Sequence, residues 1–201
     1  MKPSDSPSSS SQPDGLVTKL ASADLSAMAT GLASDPQVNA LWNEYADPGL
    51  YTALIEDGKR PSSVRFAAAL VLLSKNKGRF GNTSSQVVAQ ILATALKENV
   101  TVWTWPWGRL WVGGDPVGHL GRVFLEIGRP AVPALEALLD DTTSRDAYEG
   151  SEEATEMAMK HYRVKDFAAF YIARILQVDL PWEQNLARRD EAIAKLRTQI
   201  H

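Results

Sequence analysis

Asp-Pro occurs three times in this chain, at 35–36, 47–48 and 115–116, and each time an apolar pattern of helical spacing follows. An aspartate side chain accepts from backbone N–H groups that the first turn of a helix leaves unpaired, and proline in that turn has no N–H to leave over. The dipeptide therefore reads as a helix start. After Pro36 come Val38, Leu41, Trp42 and Tyr45 on one face, and after Pro48 come Leu50, Tyr51, Leu54 and Ile55. After Pro116 come Val117, Leu120, Val123, Phe124 and Ile127, stopped by Gly128. Pro61, Pro130 and Pro181 read as similar openings without the aspartate, Pro130 leading into Ala131, Leu135, Leu138 and Leu139. The "TSSQ" stretch at 83–86 has capping-box spacing, followed by Val87, Val88, Ile91, Leu92, Ala95 and Leu96 on one face. A last stripe takes Trp182, Leu186, Ile193, Leu196 and Ile200. No alternating strand pattern accompanies these segments. The spacing predicts an all-α protein of about nine or ten helices, each of two to four turns, joined by short loops.

With 201 residues and 44% hydrophobic content, the chain has enough apolar surface for one sizeable core or one continuous stack of helices. The opening stretch, "MKPSDSPSSSSQPDG", has no apolar residue after Met1 and cannot bury enough surface to offset its ordering entropy. Residues 1–15 are therefore expected to be a disordered tail, and 16–201 a single helical domain. The tail also has the composition of the N-terminal linker of a bacterial lipoprotein, which would need a lipidated cysteine ahead of it. That reading places the protein at the bacterial envelope if such a cysteine has been trimmed, and otherwise in the cytoplasm. Nothing at the N-terminus has the layout of a signal peptide, and no apolar run approaches the roughly 18 residues that span a bilayer.

Two stretches carry the same pattern. "VRFAAALVL" (64–72) and "VKDFAAFYI" (164–172) both read Val, Arg or Lys, two variable positions, Ala-Ala, two variable positions, then Leu or Ile. The small Ala-Ala pair lets a neighbouring helix approach closely, and the basic residue emerges at the helix start, where it can pair with an acidic turn. "IGRPAVPALEALLDD" (127–141) reads as the outer helix of a pair, opened by Gly and Pro and closed by acidic residues. Together these stretches resemble HEAT repeats, including the short variety of phycobilisome-lyase-like proteins, over roughly 47–75 and 116–177. The resemblance implies a short right-handed α-solenoid of antiparallel helix pairs with a concave surface, and no particular activity. Two stretches depart from the repeat: an aromatic interruption at 99–115 and an acidic insertion at 142–162. Solenoids commonly bear such insertions on a binding face.

The aromatic interruption contains "WTWPWGRLW" (103–111), four of the chain's six tryptophans in nine positions. In an extended backbone Trp103, Trp105 and Trp107 share one face. Rigid aromatic rings give large contact area at small entropic cost, so Trp103, Trp105, Trp107 and Trp111, with Arg109 for polar specificity, form a candidate binding surface. The alternative is a plug of rings filling the break in the helical stack, or a mixture with some rings buried and others exposed. The insertion carries Asp146, Glu149, Glu152 and Glu153 among a run of acidic residues. It reads as a docking surface for a basic partner or as a solvated loop, and it lacks the spacing of a calcium loop. The basic loop "KNKGRFGNTSS" (75–85) precedes a helix start, where an anion can bind, but it lacks P-loop spacing and serves equally as a plain connection.

Catalysis finds little support. There is no cysteine, which excludes disulfides, thiolate metal sites and cysteine nucleophiles. Three histidines are present, and Asp115 and His119 stand four apart, but no third metal ligand is evident nearby. No cofactor motif appears. Tryptophans beside Asp115 on such a scaffold are similar to the HEAT-like alkylpurine DNA glycosylases, in which a carboxylate stabilises the developing sugar cation. Those enzymes need a basic groove, whereas here the basic residues are scattered and the net charge is −3. The sequence thus points to a noncatalytic scaffold binding a protein or peptide, with a glycosylase or lyase using Asp115 as the alternative. An envelope assembly factor or an immunity-type protein facing a basic toxin are two forms of the first reading.

Overall fold

The computed structural model describes residues 12–76, 80, 83–98, 106–108, 110, 117–144 and 159–201. Among these there are ten α-helices and no β-strand, so the protein is all-helical. The helices are α1 (Gln12–Ala21), α2 (Leu25–Gly31), α3 (Pro36–Glu44), α4 (Pro48–Glu56), α5 (Ser62–Lys75), α6 (Ser85–Lys97), α7 (His119–Ile127), α8 (Val132–Glu136), α9 (Val164–Leu176) and α10 (Leu186–Arg197). Short 3-10 turns at Leu32–Ser34 and Arg129–Ala131 lead into α3 and α8. The chain divides into two compact units, Met1–Asn82 and Thr83–His201.

The Asp-Pro signals at 35–36 and 47–48 act as their chemistry requires, and the one at 115–116 lies outside the described residues. The Asp35 carboxylate accepts from the N–H groups of Gln37 and Val38 at 2.9 and 3.0 Å, and Asp47 accepts from Gly49 N–H at 2.8 Å. The proline openings are less uniform. Pro130 sits in the 3-10 turn ahead of α8, and Pro181 opens no helix at all. There Asn185 caps α10 instead, accepting from Ala187 and Arg188, because its short amide can reach two orphan N–H groups and a proline ring cannot. The capping box at 83–86 does not form either. The helix starts one residue later than that spacing requires, with Ser84 as its N-cap and no side-chain bond, and the buried Thr83 hydroxyl oxygen has no hydrogen-bond partner. At the other end of the chain, α1 begins inside the stretch read as a tail, with Asp14 in its first turn and Leu16 and Leu20 buried below.

Each unit is built around one of the two repeat-like helices. In the first, α5 packs against α1, α2, α3 and α4, and every residue from Phe66 to Leu72 is buried. In the second, α9 packs against α7, α8 and α10, and every residue from Val164 to Ala173 is buried. A helix apolar on one stripe covers a core, whereas one apolar all round must lie within it. The Ala-Ala pairs at 68–69 and 168–169 are fully enclosed, as close approach of neighbouring helices demands. The large side chains that fill the remaining layers each contribute about 1.5–3 kcal/mol by leaving water.

Candidate functional site

The aromatic segment (99–115) and the acidic segment (142–162) both lie in the second unit, and the structure shows how the described residues of each are tied down. From the aromatic interruption, Pro106, Trp107, Gly108 and Leu110 are all buried. Trp107 has no exposed surface and stacks on Phe124 of α7 with ring centroids 6.3 Å apart, and Phe124 in turn meets Tyr171 of α9 at 5.3 Å. The backbone here completes the start of α7. The Pro106 carbonyl accepts from Leu120 N–H at 2.8 Å, and the Trp107 carbonyl accepts from Gly118 N–H at 3.3 Å and from the Tyr171 hydroxyl. Helix α7 has no side-chain cap of its own, so a carbonyl from the aromatic segment satisfies a donor that its first turn leaves over.

Two glycines make this docking possible. Gly108 holds φ at +112°, a conformation that side chains with a Cβ rarely adopt, and forms an isolated antiparallel bridge with Val117. At Gly121, a Cβ would stand 2.5 Å from the Tyr171 hydroxyl oxygen and 2.7 Å from the Trp107 carbonyl oxygen. Only hydrogen fits there.

The acidic insertion is anchored at both ends. Ser144 and Arg163 form the second isolated antiparallel bridge, Val164 N–H donates to Thr143 at 3.0 Å, and Lys165 N–H donates to Asp141 at 3.0 Å. Beneath this junction lies a buried ionic cluster. Asp166, fully enclosed, accepts from Arg163 N–H at 2.9 Å, from Arg163 Nη2 at 2.9 Å and from Arg189 Nη1 at 2.7 Å. Arg189, only 2% exposed, also donates to three backbone carbonyls: Lys160 at 3.1 Å, His161 at 3.3 Å and Glu183 at 2.9 Å. Its guanidinium lies 3.8 Å from the centroid of the Trp182 ring, where cation–π attraction adds to the packing.

Asp190 extends the cluster toward solvent, its Oδ1 lying 2.8 Å from both Arg163 and Lys165. Partial burial pushes the Asp190 carboxyl up, but hydrogen bonds and charge from Arg163 and Lys165 outweigh this and hold it below its ordinary value. Arg163 is perturbed in the opposite sense: burial would lower it, yet Asp166 and Asp190 together raise it.

The two anchored stretches meet. Tyr162, buried at the return of the insertion, donates its hydroxyl proton to the Leu110 carbonyl of the aromatic segment, and its ring packs edge-on against Trp182 at 5.4 Å. Of the residues that the sequence singles out for binding, Trp107 is therefore a core residue that presents no ring at the surface, because it fills the space over α7 and α9. Trp103, Trp105, Arg109, Trp111, Asp146, Glu149, Glu152 and Glu153 lie outside the described residues, as does Asp115 of the glycosylase reading. Among the described residues no three His, Asp or Glu side chains come together as metal ligands, and no helix is long and apolar enough to cross a membrane. The chain matches no family model, no curated protein and no solved structure.

Sequence reasoning missed the ionic cluster. Its signals are weak but present: Asp166 stands three residues after Arg163, and Arg189-Asp190 falls in the second turn of the last helix.

Proposed function

We propose that this protein is a noncatalytic binding scaffold, a short solenoid of HEAT-like helix pairs that engages a protein or peptide through its two departures from the repeat. The observation that carries the reading is the Tyr162–Leu110 hydrogen bond, which joins the base of the acidic insertion to the aromatic segment. Two stretches that the repeat does not need are thereby held side by side on one helical framework. Trp107 is the buried pivot of the aromatic segment, and Trp103, Trp105, Trp111 and Arg109 are the anchors proposed to meet the partner. Aromatic anchors supply affinity, while acidic residues steer a basic partner and exclude acidic ones.

Capture from the native host's lysate and membrane fraction tests this reading. The wild type is expected to retain a partner that the Trp103→Ser/Trp105→Ser variant loses, with helical circular dichroism and melting temperature unchanged. A folded variant that captures the same partner as strongly would overturn the role given to the aromatic segment.

A further inference from the structure

We infer that Arg189 is the positioning residue of the acidic insertion: from the last helix it fixes where that segment re-enters the domain. The inference deepens the proposed function, since it matters for binding only if the insertion contacts the partner. One side chain ties three separate stretches together. Arg189 spans the carbonyls of Lys160 and His161 on the return limb, the carbonyl of Glu183 ahead of α10, and the Asp166 carboxylate in α9.

A guanidinium offers five donors in a rigid planar fork, whereas an ammonium offers three from a single point. Only the fork reaches four acceptors on three separate segments at once. The position it enforces is also an uncommon one. His161, whose carbonyl Arg189 holds, sits at φ +46°, a conformation that a residue with a Cβ adopts only when its surroundings over-determine it. On the outer side of this limb Met159 is 62% exposed, next to the clamped Lys160 carbonyl. The clamp thus holds an apolar side chain at the surface beside the acidic segment.

Arg163 plays a different part, because it pairs with Asp166 and Asp190 from within its own helix start and touches no carbonyl of the return limb among its described contacts. Charge alone does not distinguish the two arginines; the set of acceptors does.

The chain has no cysteine, so a spin label on Met159→Cys reports from one place only. Arg189→Lys keeps the charge beside Asp166 and gives up the fork. In that variant the label is expected to pass from restricted to fast motion, and amide exchange at Lys160 to Arg163 to rise by about tenfold or more, with α6 and α7 exchanging as in wild type. Label motion and local exchange unchanged by Arg189→Lys would overturn the inference, as would an increase spread evenly over the whole second unit. Should Arg189→Lys fail to fold, Trp182→Ala removes the face on which the guanidinium lies together with an edge contact to Tyr162, and the same readings are then taken at Met159, Lys160 and His161. A variant that frees the label while still capturing the partner leaves the clamp standing and removes the insertion from the proposed binding surface.

Discussion

Helices α5 and α9 carry the same apolar pattern at the centre of the two units, yet the polar residues around them differ sharply. The basic residue in the first turn of α5, Arg65, donates from Nε to the Ile55 carbonyl at 2.9 Å, a single bond to the preceding helix. Its counterpart in α9, Lys165, belongs to a cluster with Arg163, Asp166, Arg189 and Asp190. The chain ahead of α5 needs only a short turn from α4, whereas the chain ahead of α9 returns from the insertion. The shared apolar pattern fills the two cores, and the buried charges stand where the chain enters α9 from the acidic segment. Ionic groups in a core are a costly way to gain stability, since desolvation offsets most of the attraction, and here Asp166 is paired with both buried arginines and Arg163 also with Asp190.

The comparison breaks first at the aromatic ring pairs. Trp107→Ala is expected to destabilise the protein by about 3–5 kcal/mol, by transfer and cavity terms together, as measured by urea unfolding. Trp42→Ala removes a ring that stacks on Tyr51 at 5.9 Å but is only half-buried, and it should cost clearly less. Equal losses would mean that the Trp107 site collapses around the deletion. Replacing Asp166 with Ala leaves Arg189 buried without its carboxylate and should cost about 3–5 kcal/mol, against about 1–3 kcal/mol for Arg65→Ala in the first unit. Comparable values would remove the distinction between the two helix starts. Gly121→Ala sets a methyl against Tyr171 and the Trp107 carbonyl, and about 1–3 kcal/mol of overpacking should appear in its melting curve. Asp35→Ala, which removes a helix cap in the first unit, should cost about 1 kcal/mol.

The smallest effect concerns pH. Because the folded-state pKa of Asp190 is lowered, its contribution is fully present above the ordinary carboxylate range and is lost as pH falls through the lowered value. Asp190→Asn should flatten the acid limb of the stability curve below about pH 4 and leave the curve near neutrality parallel to that of the wild type. An unaltered acid limb would mean that the carboxyl is no better stabilised folded than unfolded.

Much of the scaffold was legible in the residues. Asp35 and Asp47 cap the helices that their Asp-Pro steps announce, and the apolar stripes after Pro36, Pro48, Ser85 and Pro116 face inward. The failures share a cause. Thr83 against Ser84 as N-cap is a one-residue choice that local spacing leaves open, and α10 is capped by Asn185 where Pro181 offers an earlier opening. Leu186, placed on the inner stripe by periodicity, is 42% exposed at the first residue of α10, while Ile193 and Leu196 of the same stripe are buried. Alternation along "WTWPWGRLW" tells which rings share a face but not which face is inward. A buried arginine, finally, has the same local sequence as one extended over the surface, and only its distant acceptors distinguish them.

The central claim is that the aromatic segment and the acidic insertion act as one surface. Its most direct test is quantitative capture of one partner by three folded proteins: wild type, Trp103→Ser/Trp105→Ser, and Glu149→Gln/Glu152→Gln/Glu153→Gln. One surface predicts that both variants lose the same partner, with the insertion variant losing most at low salt, where charge steering is strongest. If the two variants lose different partners, or if either retains full binding, the two stretches act separately and the claim fails.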